Sequence, residues 1–356
     1  MTSLTESPHL PAPGEELIYP LPEPPSTGEL IEVAPGVRWL RLPLPFALDH
    51  VNLWLIDEDD GATLVDTGID RPESRAVWEQ VLAGPLRHRP IRRIVCTHFH
   101  PDHMGLAGWL GARFGAPLLA TAGEWAFARA LSLDTGPRYV ERQLAFYRRA
   151  GLDRDMLGEI GARGNSYAER VGPIPDTYQR LLDGMTLTLG GRPWRVITGR
   201  GHAPEHACLY CPDLDVLISG DQVLPRISPN VGVWPQEPDG DPLPLFLASL
   251  ERLRILPGNV LVLPSHGRPF RGLRARLDTL AEHHRERLRL AEAACPDAGA
   301  GVSGAEVIPA LFKRAMDTHQ TIFAVGESLA HLHLLWHAGR LIRQTDAAGV
   351  ARFRRL

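Results

Sequence analysis

The sequence predicts an α/β fold: an αββα sandwich carrying a helical insertion, followed by a small C-terminal domain. Three observations predict it. Short β-branched runs recur along the chain and alternate with segments of helical periodicity. The residues richest in chemistry stand where those runs end, which places them at one edge of the sheets. At 356 residues, 44% of them hydrophobic, the chain exceeds the usual size of one core, so a main domain plus a smaller one is expected.

Residues 1–28 hold seven prolines and little periodicity, which reads as an extended arm that wraps the body or packs on a partner subunit. A main domain is expected over 29–270. Its strands are predicted from Trp39 onward, over 51–56, 62–65, 91–96 and 118–120. Arg71-Pro72-Glu73 opens a helix among them, because proline suits a first helical turn and Val77, Val81 and Leu82 are spaced for burial. Leu106, Leu110 and Phe114 continue at helical spacing after residue 101. Further strands are predicted over 192–197, 207–211, 216–219 and 260–263.

His103 and His202 lie 99 positions apart, more than a helix, a strand and a hairpin require. Residues 121–183 fill the excess as an insertion with helical character over 124–131, 137–150 and 153–160. Helices inserted beside a site commonly form a lid or substrate wall, and Arg138, Arg142, Arg148 and Arg149 bring charge. Tyr139, Phe146 and Tyr147 read as anchors of that insertion. After Phe270 the pattern shifts: Leu273, Leu277, Leu280, His284, Leu288 and Ala291 trace one helical face. Helices near 305–316 and 326–338 and a hairpin within 341–353 complete a domain over 271–356.

His98-Phe99-His100-Pro101-Asp102-His103 holds three imidazoles and a carboxylate in six positions at the exit of the 91–96 run. Such groups repel one another unless a cation holds them, and they are the ligand types that zinc and similar divalent ions take. On an extended chain, side chains at i and i+2 point the same way, so His98 and His100 can serve one ion. Pro101 turns the chain, so Asp102 and His103 can face a second, with Asp102 in the first turn of the following helix.

Thr97-His98-x-His100-x-Asp102-His103 resembles the signature of the metallo-β-lactamase superfamily. Gly201-His202-Ala-Pro-Glu-His206 resembles its third-histidine turn, Ser219-Gly220-Asp221 its bridging aspartate, Pro264-Ser265-His266-Gly267 its last histidine, and Asp66-Thr67-Gly68 the early turn that supports the ligand loop. The resemblance spans about residues 30–270 and implies a metallo-β-lactamase sandwich. It assigns His98, His100 and His202 to one metal, Asp102, His103 and His266 to a second, and Asp221 to both. Seven N/O ligands without thiolate suit two divalent metal ions, zinc (Zn2+) first and iron or manganese as alternatives. Glu205 stands where many relatives carry glycine, which leaves the ligands intact and alters their support. His206 reads either as a partner behind the ligands or as a core histidine. His283, His284, His331, His333 and His337 read as ordinary surface or packing residues. The C-terminal domain resembles the winged-helix tail of some members.

These readings imply an enzyme, a metal-dependent hydrolase similar to the glyoxalase II-like branch of that superfamily. A metal-bound hydroxide, oriented by Asp102, would attack a small-molecule acyl substrate, a thioester or ester. A lactonase, a single-stranded RNA endonuclease, a mononuclear iron dioxygenase and a non-enzymatic metal-stabilised scaffold are the alternatives. His100 weighs against the flavodiiron type, whose glutamate at that position suits iron. A net charge of -4 and a 327–337 helix without a basic face argue against nucleic acid, so a structural or homodimer-forming tail is expected. All but one of the 38 Lys+Arg residues are arginine, which reads as codon bias. Four cysteines in a chain this long make no disulfide framework, and Cys208 and Cys211 fall on opposite faces of a strand, which argues against a shared metal or redox role. No run approaches 18 apolar residues and no leader-like segment opens the chain, so no membrane span and a cytoplasmic location are expected.

Overall fold

Strands β1 (Ile31–Ala34), β2 (Val37–Pro43), β3 (His50–Glu58), β4 (Gly61–Val65), β5 (Ile91–Val95), β6 (Leu118–Ala120) and β7 (Gln179–Arg180) lie side by side in chain order in one sheet of the computed structural model, which describes residues 17–21 and 23–356. The first four are antiparallel and the rest run parallel to β4. Parallel neighbours need crossovers, supplied by α1 (Pro72–Ala83) between β4 and β5, and by α2 (Pro101–Met104) with α3 (Ala107–Phe114) between β5 and β6. Helix α4 (Ala122–Leu133) follows β6. The second sheet has the order β12-β11-β10-β9-β8, from β8 (Thr186–Leu189), β9 (Arg192–Gly199), β10 (His206–Cys211), β11 (Val216–Gly220) and β12 (Leu261–Pro264).

The two sheets bury one core between them. Trp39, Trp54, Ile56, Val65 and Val95 of the first meet Leu189, Trp194, Val196, Leu209, Ile218 and Leu263 of the second. Trp39 and Trp54 are register partners across β2 and β3, with ring centroids 5.9 Å apart. Burying a large apolar side chain stabilises by roughly 1.5–3 kcal/mol, so this layer carries much of the stability. Helix α1 packs on β2 and α3 on β5. The predicted two-sheet α/β sandwich is thus the observed one, and β4, β5, β9, β11 and β12 all run toward the same edge.

One departure has a physical cause. The single helical stretch expected after Pro101 is two helices, because the Leu106 N–H is captured by Gly68 O at 3.1 Å and Thr67 Oγ1 at 3.1 Å. The arm expected over 1–28 lies partly outside the described residues; of its remainder, Ile18 exchanges two backbone hydrogen bonds with Arg271, at 3.2 and 2.8 Å.

The chain divides into two compact units. The first combines the residues through Leu133 with Tyr167–Pro229 and Leu253–Asp278 and holds both sheets; the second combines Asp134–Ser166, Asn230–Arg252 and Thr279–Leu356. The second contains α5 (Pro137–Arg149), α6 (Arg154–Ala162), α7 (Pro242–Leu253), most of α8 (Leu273–Ala294), α9 (Gly304–Leu311), α10 (Thr318–His337) and the hairpin of β13 (Leu341–Thr345) and β14 (Ala351–Arg355). Tyr139, Phe146 and Tyr147 are buried, as anchors should be. Helix α10 is a core helix: from Ala324 to His333 every side is buried, including Glu327, His331 and His333. His331 donates from Nδ1 to Glu327 O at 2.7 Å, so its Nε2 accepts from His284 Nδ1 at 3.2 Å. His284, His331 and His333 are therefore packing residues of the interior rather than the surface.

Candidate metal centre

Each of the seven candidate ligands arrives at the shared edge on the end of a strand, on the turn that follows it or, for Asp102 and His103, on α2. Thr97 to His103 leave β5, His202 follows β9, Asp221 follows β11 and His266 follows β12. The structure brings them together as two groups. His98, His100, His202 and Asp221 form one, and Asp102, His103 and His266 the other, with the donor atoms of each group within 4.8 Å of one another.

Asp221 faces both groups with different oxygens. Its Oδ2 lies 3.5 Å from His202 Nε2 and 3.9 Å from His98 Nε2. Its Oδ1 lies 3.4 Å from His266 Nε2 and 3.7 Å from His103 Nε2. Asp102 Oδ2 completes the second group, 3.5 Å from both His103 Nε2 and His266 Nε2.

The outer ring of hydrogen bonds sets the imidazole tautomers. Thr97 Oγ1 donates to Asp66 Oδ2 at 2.8 Å, so it accepts from His98 Nδ1 at 3.0 Å. His103 donates from Nδ1 to the same carboxylate oxygen at 2.8 Å, and His266 donates from Nδ1 to His50 O at 2.7 Å. In all three rings the outer nitrogen carries the proton, and Nε2 turns a lone pair inward. His206 behaves differently. Its Nε2 accepts from the Asp221 N–H at 3.0 Å, so it props up the bridging aspartate, an approach that needs Gly220, where a Cβ would come within 2.4 Å of the ring.

Among the described residues, His103 Nε2 and Asp221 Oδ1 are buried without a hydrogen-bond partner, and His98 Nε2 faces His100 Nδ1 at 2.9 Å and His202 Nε2 at 3.3 Å. Inward lone pairs and carboxylate oxygens converging on two points fit two divalent cations. Electrostatics agrees. Burial pulls the His103 imidazole down, but Asp102, Asp66 and Asp221 more than offset it and hold the group well above the usual histidine range. A cation on Nε2 satisfies those carboxylates as a proton would. Burial and the neighbouring imidazoles push His98 well down, which keeps it neutral, the form a metal takes.

Several supporting residues stand outside the sequence motifs. Asn52, fully buried on β3, donates to Pro264 O at 2.8 Å and Gly267 O at 3.0 Å and thereby holds the His266 turn. His50 accepts from the Gly267 N–H at 2.9 Å, and Arg41 donates to Gly267 O at 2.9 Å. Glu124 on α4 accepts from the backbone of Phe99, and Tyr167 donates to the same residue's carbonyl. Burial pushes the Glu124 carboxyl up to about 8, against the pull of its two backbone N–H donors. A polar residue inside an apolar run was the available signal for Asn52; no local signal marked the others.

A family model described as the metallo-beta-lactamase superfamily matches residues 47–266, and a second, described as the metallo-beta-lactamase-like C-terminal domain, matches residues 289–356. The crystal structure of a beta-lactamase domain protein from Burkholderia ambifaria is 43% identical, covers 96% of this chain and 98% of its own, and superposes with a TM-score of 0.89. The linear primary-alkylsulfatase of a Pseudomonas species is 30% identical over 66% of this chain, and the match spans 46% of that protein, about half its length. A hydroxyacylglutathione hydrolase from Albidiferax ferrireducens is 25% identical over 63% of this chain and 65% of its own.

Proposed function

Because the chain belongs to the metallo-β-lactamase superfamily, we propose that it is a two-metal hydrolase acting on a thioester or ester carbonyl. One observation carries the reading: the two oxygens of Asp221 face separate ligand groups, each completed by inward nitrogens. His98, His100, His202 and Asp221 would hold one cation, and Asp102, His103 and His266, with Asp221, the other. When bound, such ions acidify water near neutral pH and polarise the substrate's carbonyl oxygen.

The chain's own residues do the positioning. Asp66 and His50 keep three imidazoles in the ligand tautomer, and Asp102 accepts a hydrogen bond from the attacking water and orients it. Asp221 balances the cationic charge. No side-chain nucleophile is required; the nearby Cys96 thiol is buried, which raises it well above the thiol range and keeps it protonated.

A thioester is placed first because one relative is named as a hydroxyacylglutathione hydrolase. The relative named as an alkylsulfatase favours a second reading, a sulfate ester held at the same two ions. Lactones share the reacting carbonyl. RNA ranks lower, since the helix that would read it is packed in the interior of its unit.

The test is a panel of acyl-CoA, acyl-glutathione, lactone and alkyl sulfate substrates with metal-loaded protein. The expected result is metal-dependent thioester turnover that falls about 100-fold or more in Asp102→Asn. Turnover of the alkyl sulfate with none on the acyl substrates would replace the carbonyl reading.

A further inference from the structure

Phe99 sits between the first two histidines, and both polar groups of its backbone are held by buried side chains. Its N–H donates to Glu124 Oε2 at 2.9 Å, and its carbonyl accepts from Tyr167 Oη at 2.6 Å. Glu124 is fully buried and Tyr167 is 8% exposed. The other oxygen of Glu124 accepts from the Glu205 N–H at 2.6 Å, three residues beyond His202. Glu205 returns the contact: its Oε2 accepts from the Gly123 N–H at 2.9 Å, and its carbonyl accepts from Thr121 Oγ1 at 2.8 Å. Gly123 permits the approach, since a Cβ there would lie 3.2 Å from the Glu205 side chain.

The start of α4 is thereby tied to the loop of His98 and His100 and to the turn of His202. The other group is held by different residues: His103 by Asp66, and the His266 turn by His50, Asn52 and Arg41. We infer that Glu124, Tyr167 and Glu205 are positioning residues for the three-histidine half of the metal centre, and that they set the metal affinity of that half separately from the other. The inference rests on the two-metal reading of the site. It also gives the acidic side chain at 205 a purpose, because a glycine there could not return the bond to Gly123.

Glu124 needs both of its side-chain oxygens to do this. It accepts two backbone N–H groups on two oxygens, whereas glutamine offers one oxygen and turns an NH2 toward the second donor. The test is competitive titration of Zn2+ against a chromophoric chelator in two backgrounds. His266→Ala disables the second group and leaves the three-histidine half, and His202→Ala does the reverse. Glu124→Gln is expected to weaken zinc binding about 10- to 100-fold in the His266→Ala background and to leave it unchanged within about twofold in the His202→Ala background. Tyr167→Phe should move the same constant in the same direction by less, and it serves if Glu124→Gln fails to fold. Equal weakening in both backgrounds, or none in either, overturns the inference. Since no substrate enters the measurement, that result is distinct from a failure of the thioester reading.

Discussion

Asp66 does three jobs from one unusual backbone position. It lies in the left-handed region at φ 63, where aspartate is tolerated better than most residues, and accepts from the Thr97 N–H at 2.7 Å, from Thr97 Oγ1 and from His103 Nδ1. Unlike Glu124 it serves both ligand groups, through His98 on one side and His103 on the other. Asp66→Asn keeps the size but puts an NH2 against one of those donors. Zinc titration of this variant should show affinity reduced about 10- to 100-fold at both groups; an effect confined to one would break the assignment. The seven central residues were legible because each stands in a short local motif. Asn52, Glu124 and Tyr167 act through partners 212, 25 and 68 positions away, so their roles follow from tertiary contacts that no window of sequence contains.

At the scale of elements, hydrophobic runs located most strands of the sandwich but not β1, β7 or β8, and the C-terminal helices show where periodicity fails. The helix expected near 305–316 ends at Leu311, where Phe312 turns extended, and the one expected from 326 begins at Thr318. The start signal was present as a capping box: Asp317 accepts from the Gln320 N–H at 2.8 Å, and Gln320 returns the bond. The first two turns of α10, rich in Thr and His, lack the apolar spacing that a pattern search follows, and Gly326 resembles a boundary. That glycine is a close-packing position instead, with a Cβ there lying 3.0 Å from Val233 O. Asp317→Ala is expected to destabilise the second unit by about 1 kcal/mol, read as a lower denaturant midpoint with an unchanged slope. A wild-type midpoint would mean that the cap does not secure α10.

Across the whole molecule, the first unit supplies every candidate ligand, from four segments between Thr97 and His266 that only the two-sheet topology brings to one edge. The family resemblance of the motifs anticipates that assembly, and parallel strands, which deliver their exits to the same side, account for it. The helical second unit is a separate core with its own buried histidines, and nothing in its composition announced how they pack. The seven side chains are proposed to hold two metal ions for hydrolysis. Elemental analysis of purified protein, stripped by a chelator and then reloaded, tests it most directly. The expected result is about two divalent ions per chain, hydrolysis lost on stripping and restored on reloading, and about one ion or fewer in Asp221→Ala. A single iron per chain, with oxygen consumed and no hydrolysis, would contradict it.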